Sequence, residues 1–188
     1  MEAGKIIIFS APSGAGKTTI VSRLLAKHPS LQFSISATTR PRRHYEVDGK
    51  DYYFLSTETF QQHIAQQDFV EYEEVYSGLF YGTLHSEIHR IWQMDCHALM
   101  DVDVKGGLHL KQIFGDKALA IFVQPPSLEV LRARLEGRNT ESAERLAERI
   151  QKAAHEMSFA NQFDRILIND QLEEAVRRAE EMIFEFVG

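Results

Sequence analysis

Cysteine is nearly absent from this chain. Its single copy, Cys96, closes no intrachain disulfide, supplies no zinc site made of several thiolates, and reads as a small buried hydrophobe beside Ala98, Leu99 and Met100. Long apolar runs are missing too. Nothing approaches the roughly 18 residues that a membrane-spanning helix needs, and MEAGKIIIFS lacks the basic and extended apolar regions of a secretory leader. The eight histidines show no HExxH spacing, so they read as surface or packing residues. Positive charge is in deficit, with 21 Lys and Arg against 27 Asp and Glu and a net charge of -6. No overall field attracts polyanions, so any contact with phosphate depends on a local basic site. These deficits exclude nucleic acid and membrane as expected partners. The expected setting is a reducing cytoplasm.

What remains is an ordinary globular composition, with 188 residues of which 44% are hydrophobic, enough to bury a core. Lys5 to Ser10 is a short continuous apolar run, as expected of a strand buried on both faces of a parallel sheet. A glycine-containing loop follows, then a helical stripe of Ile20, Val21, Leu24 and Leu25. Similar strand-like runs recur at 97–103, 118–123 and 165–169. Helical patterns separate them at 108–114, at 128–135 with Ser127 as N-cap, at 141–159 with Thr140 as cap, and at 172–186. Trp92, on a stripe with Ile88 and Ile91, reads as core. This alternation predicts an α/β fold with a mostly parallel sheet flanked by helices. Between Phe33 and Thr83 the pattern changes to FSISATT, YYFL and FVEYEEV, with a turn at Gly49 and one short helix at 57–65. No crossover helix divides those segments, so a small antiparallel or mixed lobe is expected there.

Ala11-Pro12-Ser13-Gly14-Ala15-Gly16-Lys17-Thr18 follows the pattern G-x-x-x-x-G-K-[ST] apart from alanine at its first position. Its glycines let backbone N–H groups turn toward phosphate oxygens at a helix N-terminus. Lys17 is placed to reach the β- and γ-phosphates and the Thr18 hydroxyl to take part in Mg²⁺ binding, with Thr19 continuing the loop into the helix. Alanine at position 11 requires a negative φ there. Asp101 and Asp103 stand two residues apart at the end of a predicted strand, hence on one face, where such folds hold hydrated Mg²⁺. Arg40-Pro41-Arg42-Arg43 offers guanidinium forks for a monophosphate. Glu71 could accept from the adjacent N1–H and N2–H₂ donors of guanine, although a glutamate alternating with apolar residues also describes the outer face of a strand.

In order along the chain, SAPSGAGKTT, SISATTR, EVDGKDYYF, FVEYEEV, SGLFYGT, MDVDVKGG, RLEGRNTE and ILIND resemble the guanylate kinase family, from about Lys5 to Phe186. The resemblance implies a P-loop NTPase core at 1–32 and 84–188, a helical lid at about 134–150, and a GMP-binding lobe at 33–83. It implies ATP as donor, GMP and also dGMP as acceptors, Mg²⁺ as cofactor, and no obligate protein partner. Arg40, Arg43, Tyr52 and Tyr81 match the family's clamp on the GMP phosphate. Ser36, Glu71, Thr83 and Asp103 match its guanine readers, and Asp101 would lie near Mg²⁺. Arg138 and Arg149 match catalytic arginines of the lid. Arg134 and Asn169 match contacts on the ATP side. The family usually spaces its two clamp arginines as Arg-x-Pro-Arg; here the proline comes one place earlier, which leaves Arg42 and Arg43 both open as the second clamp. Two other readings compete: a kinase of the same fold acting on a phosphorylated sugar, and an inactive guanylate-kinase-like interaction module.

Overall fold

Five parallel strands form the main sheet of the computed structural model, which describes residues 4–137 and 143–188. They are β1 (Ile6–Ser10), β2 (Leu31–Phe33), β7 (His97–Asp101), β8 (Ala118–Gln124) and β9 (Arg165–Ile168), in the order β2-β7-β1-β8-β9. Strand β1 is central and fully buried, because both of its faces are covered. Ile7 and Phe9 point into a core shared with Ile20 and Leu24 of α1 (Lys17–Lys27) and Ala179 and Ile183 of α7 (Leu172–Val187). Ile6 and Ile8 point the other way, toward Ile88 and Ile91 of α3 (His85–Gln93) and Leu110 of α4 (Val104–Phe114). Alternate side chains of one strand therefore feed two cores, which is why the run is apolar at every position. Trp92 packs against the second core while remaining partly exposed, and Cys96 is buried, as the sequence suggested.

The second sheet has the order β4-β3-β6-β5, from β3 (Ala37–Thr38), β4 (Tyr53–Phe54), β5 (Phe69–Tyr76) and β6 (Leu79–Leu84). Its pairing is mixed: β3 with β4 is parallel, and β3 with β6 and β5 with β6 are antiparallel. The expected continuous strand FSISATT is divided. Phe33 ends β2 paired with Leu99 of the main sheet, and the chain re-enters a sheet only at Ala37. Helix α2 (Thr57–Ala65) starts at Ser56, whose hydroxyl accepts from the Thr59 N–H at 3.1 Å. It covers this sheet with Phe60, stacked on Phe69 at 4.3 Å between ring centroids.

Helices α5 (Leu128–Glu136) and α6 (Ala143–Met157) pack through Leu131, Leu135 and Ala153. Thr140, expected to cap α6, lies outside the described residues. Among the described residues no helix is long and apolar enough to cross a membrane.

Candidate active site

The phosphate loop joins β1 to α1. Gly14 and Gly16 have φ of +90° and +91°, where any L side chain is strained, and a Cβ on Gly16 would stand 2.3 Å from the Asn169 amide nitrogen. Ala11 is not among the described non-glycine residues with positive φ, so alanine fits without strain. Helix α1 begins at Gly16 with no side-chain cap and no acidic residue in its first turn. Its N–H groups and dipole are thus available to an anion. Asn169 supports the loop from within: buried, it donates from Nδ2 to the Ala15 carbonyl at 2.7 Å, while its own carbonyl accepts from Arg134 at 2.9 Å. The structure therefore turns the Asn169 side chain toward the loop backbone and links Arg134 to the loop through it.

Asp101, the last residue of β7, lies opposite the start of α1. One carboxylate oxygen pairs with Lys17, and the other is 3.3 Å from the Thr18 hydroxyl. Lys17 also donates to the Val102 carbonyl at 2.7 Å. Thr18 and Asp101 together offer two hard oxygen ligands. That is too few for a protein cage, but it suits an Mg²⁺ ion that keeps phosphate and water oxygens in its other positions. Among the described residues no group of three or more His, Cys, Asp or Glu could hold a metal alone.

Asp103 requires a correction. It does not continue the strand beside Asp101. It is the N-cap of α4, and its carboxylate accepts from the Gly106 N–H at 2.7 Å. The period-two reading ran past the end of β7, where an Asp three residues before a glycine N–H makes a helix cap more favourable than another strand position. Asp103 nevertheless lines a cavity of about 200 Å³ together with Ser36, Tyr52, Glu71, Tyr81 and Asp101. Glu73 lines it as well.

Glu71 and Thr83 face each other across β5 and β6, and the buried Thr83 hydroxyl donates to Glu71 at 2.9 Å. Burial pushes the Glu71 carboxyl above its ordinary value; the Thr83 bond and nearby His109 oppose this, while the charges of Asp103 and Glu73 add to it. Tyr52 and Tyr81 meet edge to face at 6.0 Å, and the Arg40 guanidinium lies 5.3 Å from the Tyr52 ring centroid. Arg43 is exposed, and its side chain lines a larger cleft that also contains Thr18, Tyr52 and Asp101. Tyr52 and Asp101 border both spaces, so the cavity and the cleft meet beside the Asp101 carboxylate, which pairs with Lys17.

Glu46 opens the segment EVDGKDYYF, but the sequence alone assigns it no role. Buried at 7% exposure, it takes both Arg40 amino nitrogens in a fork, at 2.8 and 3.0 Å, and accepts from the Arg43 N–H at 2.8 Å. The Arg40 bond, with help from Arg43, brings the Glu46 carboxyl down to about 2 and raises Arg40. The signal available was a lone acid a few residues after three arginines. Arg149 is half-buried on α6, and Arg138 lies outside the described residues.

A family model described as guanylate kinase matches residues 3–186. The chain belongs to the guanylate kinase family. A guanylate kinase of Bacteroides fragilis is 50% identical over 184 residues, which is 98% of this chain and 90% of the relative. One of Salinibacter ruber is 50% identical over 188 residues and covers both chains completely. The crystal structure of guanylate kinase from Anaplasma phagocytophilum superposes with a TM-score of 0.76 at 27% identity, covering all of this chain and 88% of that one. As a member of this family, the chain is an ATP-dependent nucleoside monophosphate kinase by class.

Proposed function

We propose that the chain transfers the γ-phosphoryl group of ATP to a phosphate oxygen of GMP, giving ADP and GDP, with dGMP as a further acceptor. The observation that carries this reading is the meeting of two unlike spaces at Asp101 and Tyr52. The cleft holds Thr18 and Asp101, the latter paired with Lys17 of the phosphate loop, and the cavity holds a buried carboxylate, Glu71, suited to guanine's paired donors. In this reading residues 11–19 hold the triphosphate, with Arg134 and Asn169 keeping that side of the site in place. Ser36, Glu71, Thr83 and Asp103 read the base. Arg40, Arg43, Tyr52 and Tyr81 hold the acceptor phosphate, Arg43 being favoured over Arg42 because it faces the cleft. Residues 33–83 act as the acceptor lobe, and the segment at about 134–150 acts as the lid.

Thr18 and Asp101 would hold Mg²⁺ alongside oxygens of the triphosphate, and the ion would supply charge neutralisation there. The acceptor oxygen is already anionic, so no side chain has to remove a proton. The protein's own contribution is alignment by the two nucleotide sites, positive charge from Lys17, Arg40, Arg138 and Arg149, and exclusion of water. A phosphorylated sugar carries no base, so a kinase acting on one would not need Ser36, Glu71 and Thr83 as base readers, which weighs against the sugar-kinase reading. An interaction module would have no use for an intact phosphate loop.

A coupled assay of ADP release with GMP, AMP, UMP and ribose phosphates tests the reading. GMP should be used best, and Lys17→Ala should lower the rate by at least about a hundredfold through loss of transition-state charge stabilisation. A better rate with another acceptor would sink the guanine assignment.

A further inference from the structure

Glu87 lies in the first turn of α3, outside the cavity and the cleft, and is buried at 2% exposure. A carboxylate so placed needs partners, and each of its oxygens has two. Oε1 accepts from the Ile35 N–H at 2.9 Å and from Arg90 at 2.7 Å; Oε2 accepts from the Tyr53 hydroxyl at 2.8 Å and from Arg90 Nε at 2.9 Å. Burial would raise its pKa, but these bonds reverse that and hold it below the ordinary value.

The partners lie where the chain crosses between the two sheets. Ile35 is on the link from β2 to β3, and Tyr53 opens β4. Ser36 sits between them in effect: its N-terminal neighbour bonds Glu87, and its own carbonyl accepts from the Tyr53 N–H at 2.9 Å. Tyr52, which lines both the cavity and the cleft, directly precedes Tyr53. One carboxylate on a helix of the main layer therefore fixes the backbone beside two side chains of the acceptor cavity. Arg90, on the same helix, holds that carboxylate in its rotamer.

We propose that Glu87 is a positioning residue that ties the Ser36 and Tyr52 wall of the acceptor cavity to the main sheet's helical layer. It sets acceptor affinity without touching substrate. The inference rests on the GMP kinase reading above. Its reach is one-sided, because none of these bonds touches the phosphate loop.

The test is steady-state kinetics of Tyr53→Phe and Glu87→Gln with each nucleotide varied in turn, together with melting temperatures. Tyr53→Phe removes one hydroxyl and leaves the carboxylate held by Ile35 and Arg90, so it reports even if Glu87→Gln does not fold. We expect KM for GMP to rise about five- to tenfold in Tyr53→Phe, the scale of one ordinary hydrogen bond, and further in Glu87→Gln, with KM for ATP within about twofold of wild type. Lower melting temperatures with both KM values unchanged, or with both raised in step, would overturn the proposal. Failure of the wild-type protein to use GMP would instead remove the reading on which it rests.

Discussion

At the scale of single residues the site depends on how its carboxylates are charged. In the proposed reading Glu71 must be ionised to accept from guanine, and burial holds its proton more tightly than in an exposed glutamate. As pH falls, the ionised fraction therefore declines earlier than for an exposed carboxylate. KM for GMP should climb in that window, and the climb should be absent from Glu71→Gln, which also starts from a higher KM. Folding stability moves the other way for this group. Its folded-state value lies above the unfolded one, so the folded protein binds the proton better and acidification costs nothing there. Glu46 has the opposite sign. Its carboxyl sits at about 2 against an ordinary 4.5, so the stabilisation it gives is complete above the ordinary value and lost as pH falls from 4.5 toward 2. Denaturant midpoints across that range should fall less steeply in Glu46→Gln than in wild type. The phosphate loop was legible in the sequence because its chemistry is local, each role being assigned by spacing alone. Glu46 and Glu87 were not. Their charges are visible in the sequence, but Arg40, Ile35 and Tyr53 become their partners only through folding.

Among the elements, the join between β1 and α1 carries the most constraint. Gly16 combines a left-handed backbone with an amide nitrogen 2.3 Å from where a Cβ would stand. Gly16→Ala should cost about 1–2 kcal/mol from φ alone and more from displacing Asn169. Chemical denaturation measures that loss, and KM for ATP should rise with it. Asn169→Ala approaches the same contact from the other side. It leaves the Ala15 carbonyl without its partner and should destabilise by about 1–3 kcal/mol. The elements were largely readable from hydrophobic period, and the exceptions have a common cause. FSISATT has an even β-forming composition, yet the chain turns out of one sheet and into another within it. Asp103 carries the alternation of β7 one step too far. In both places a bond to the main layer decides the path: Ile35 N–H to Glu87, and the Asp103 carbonyl accepting from Ser10 at 2.9 Å. Alternating polarity reports which face a residue occupies, not where a strand stops.

For the whole molecule, the two sheets differ in how much apolar surface secures them. The parallel sheet is covered on both faces, whereas the mixed sheet rests on Ala37, Phe60 and Phe69 with partly buried neighbours. Hydrogen exchange should show β3 to β6 opening at lower free energy than β1, β7 and β8, and saturating GMP should slow exchange in the mixed sheet most. The order of strands has a further consequence, for synthesis. Ile6 pairs with Ala98 on one side and Ala118 on the other, so β1 has no partner strand until the chain has been made that far. Strands β5 and β6 pair as neighbours through the turn at Gly78 and need only each other. On the ribosome β5 and β6 can thus pair while the phosphate loop is still attached to an unpaired strand. The phosphate loop is made early, yet the strand that carries it is held in a sheet only after residues near 98 and 118 have followed.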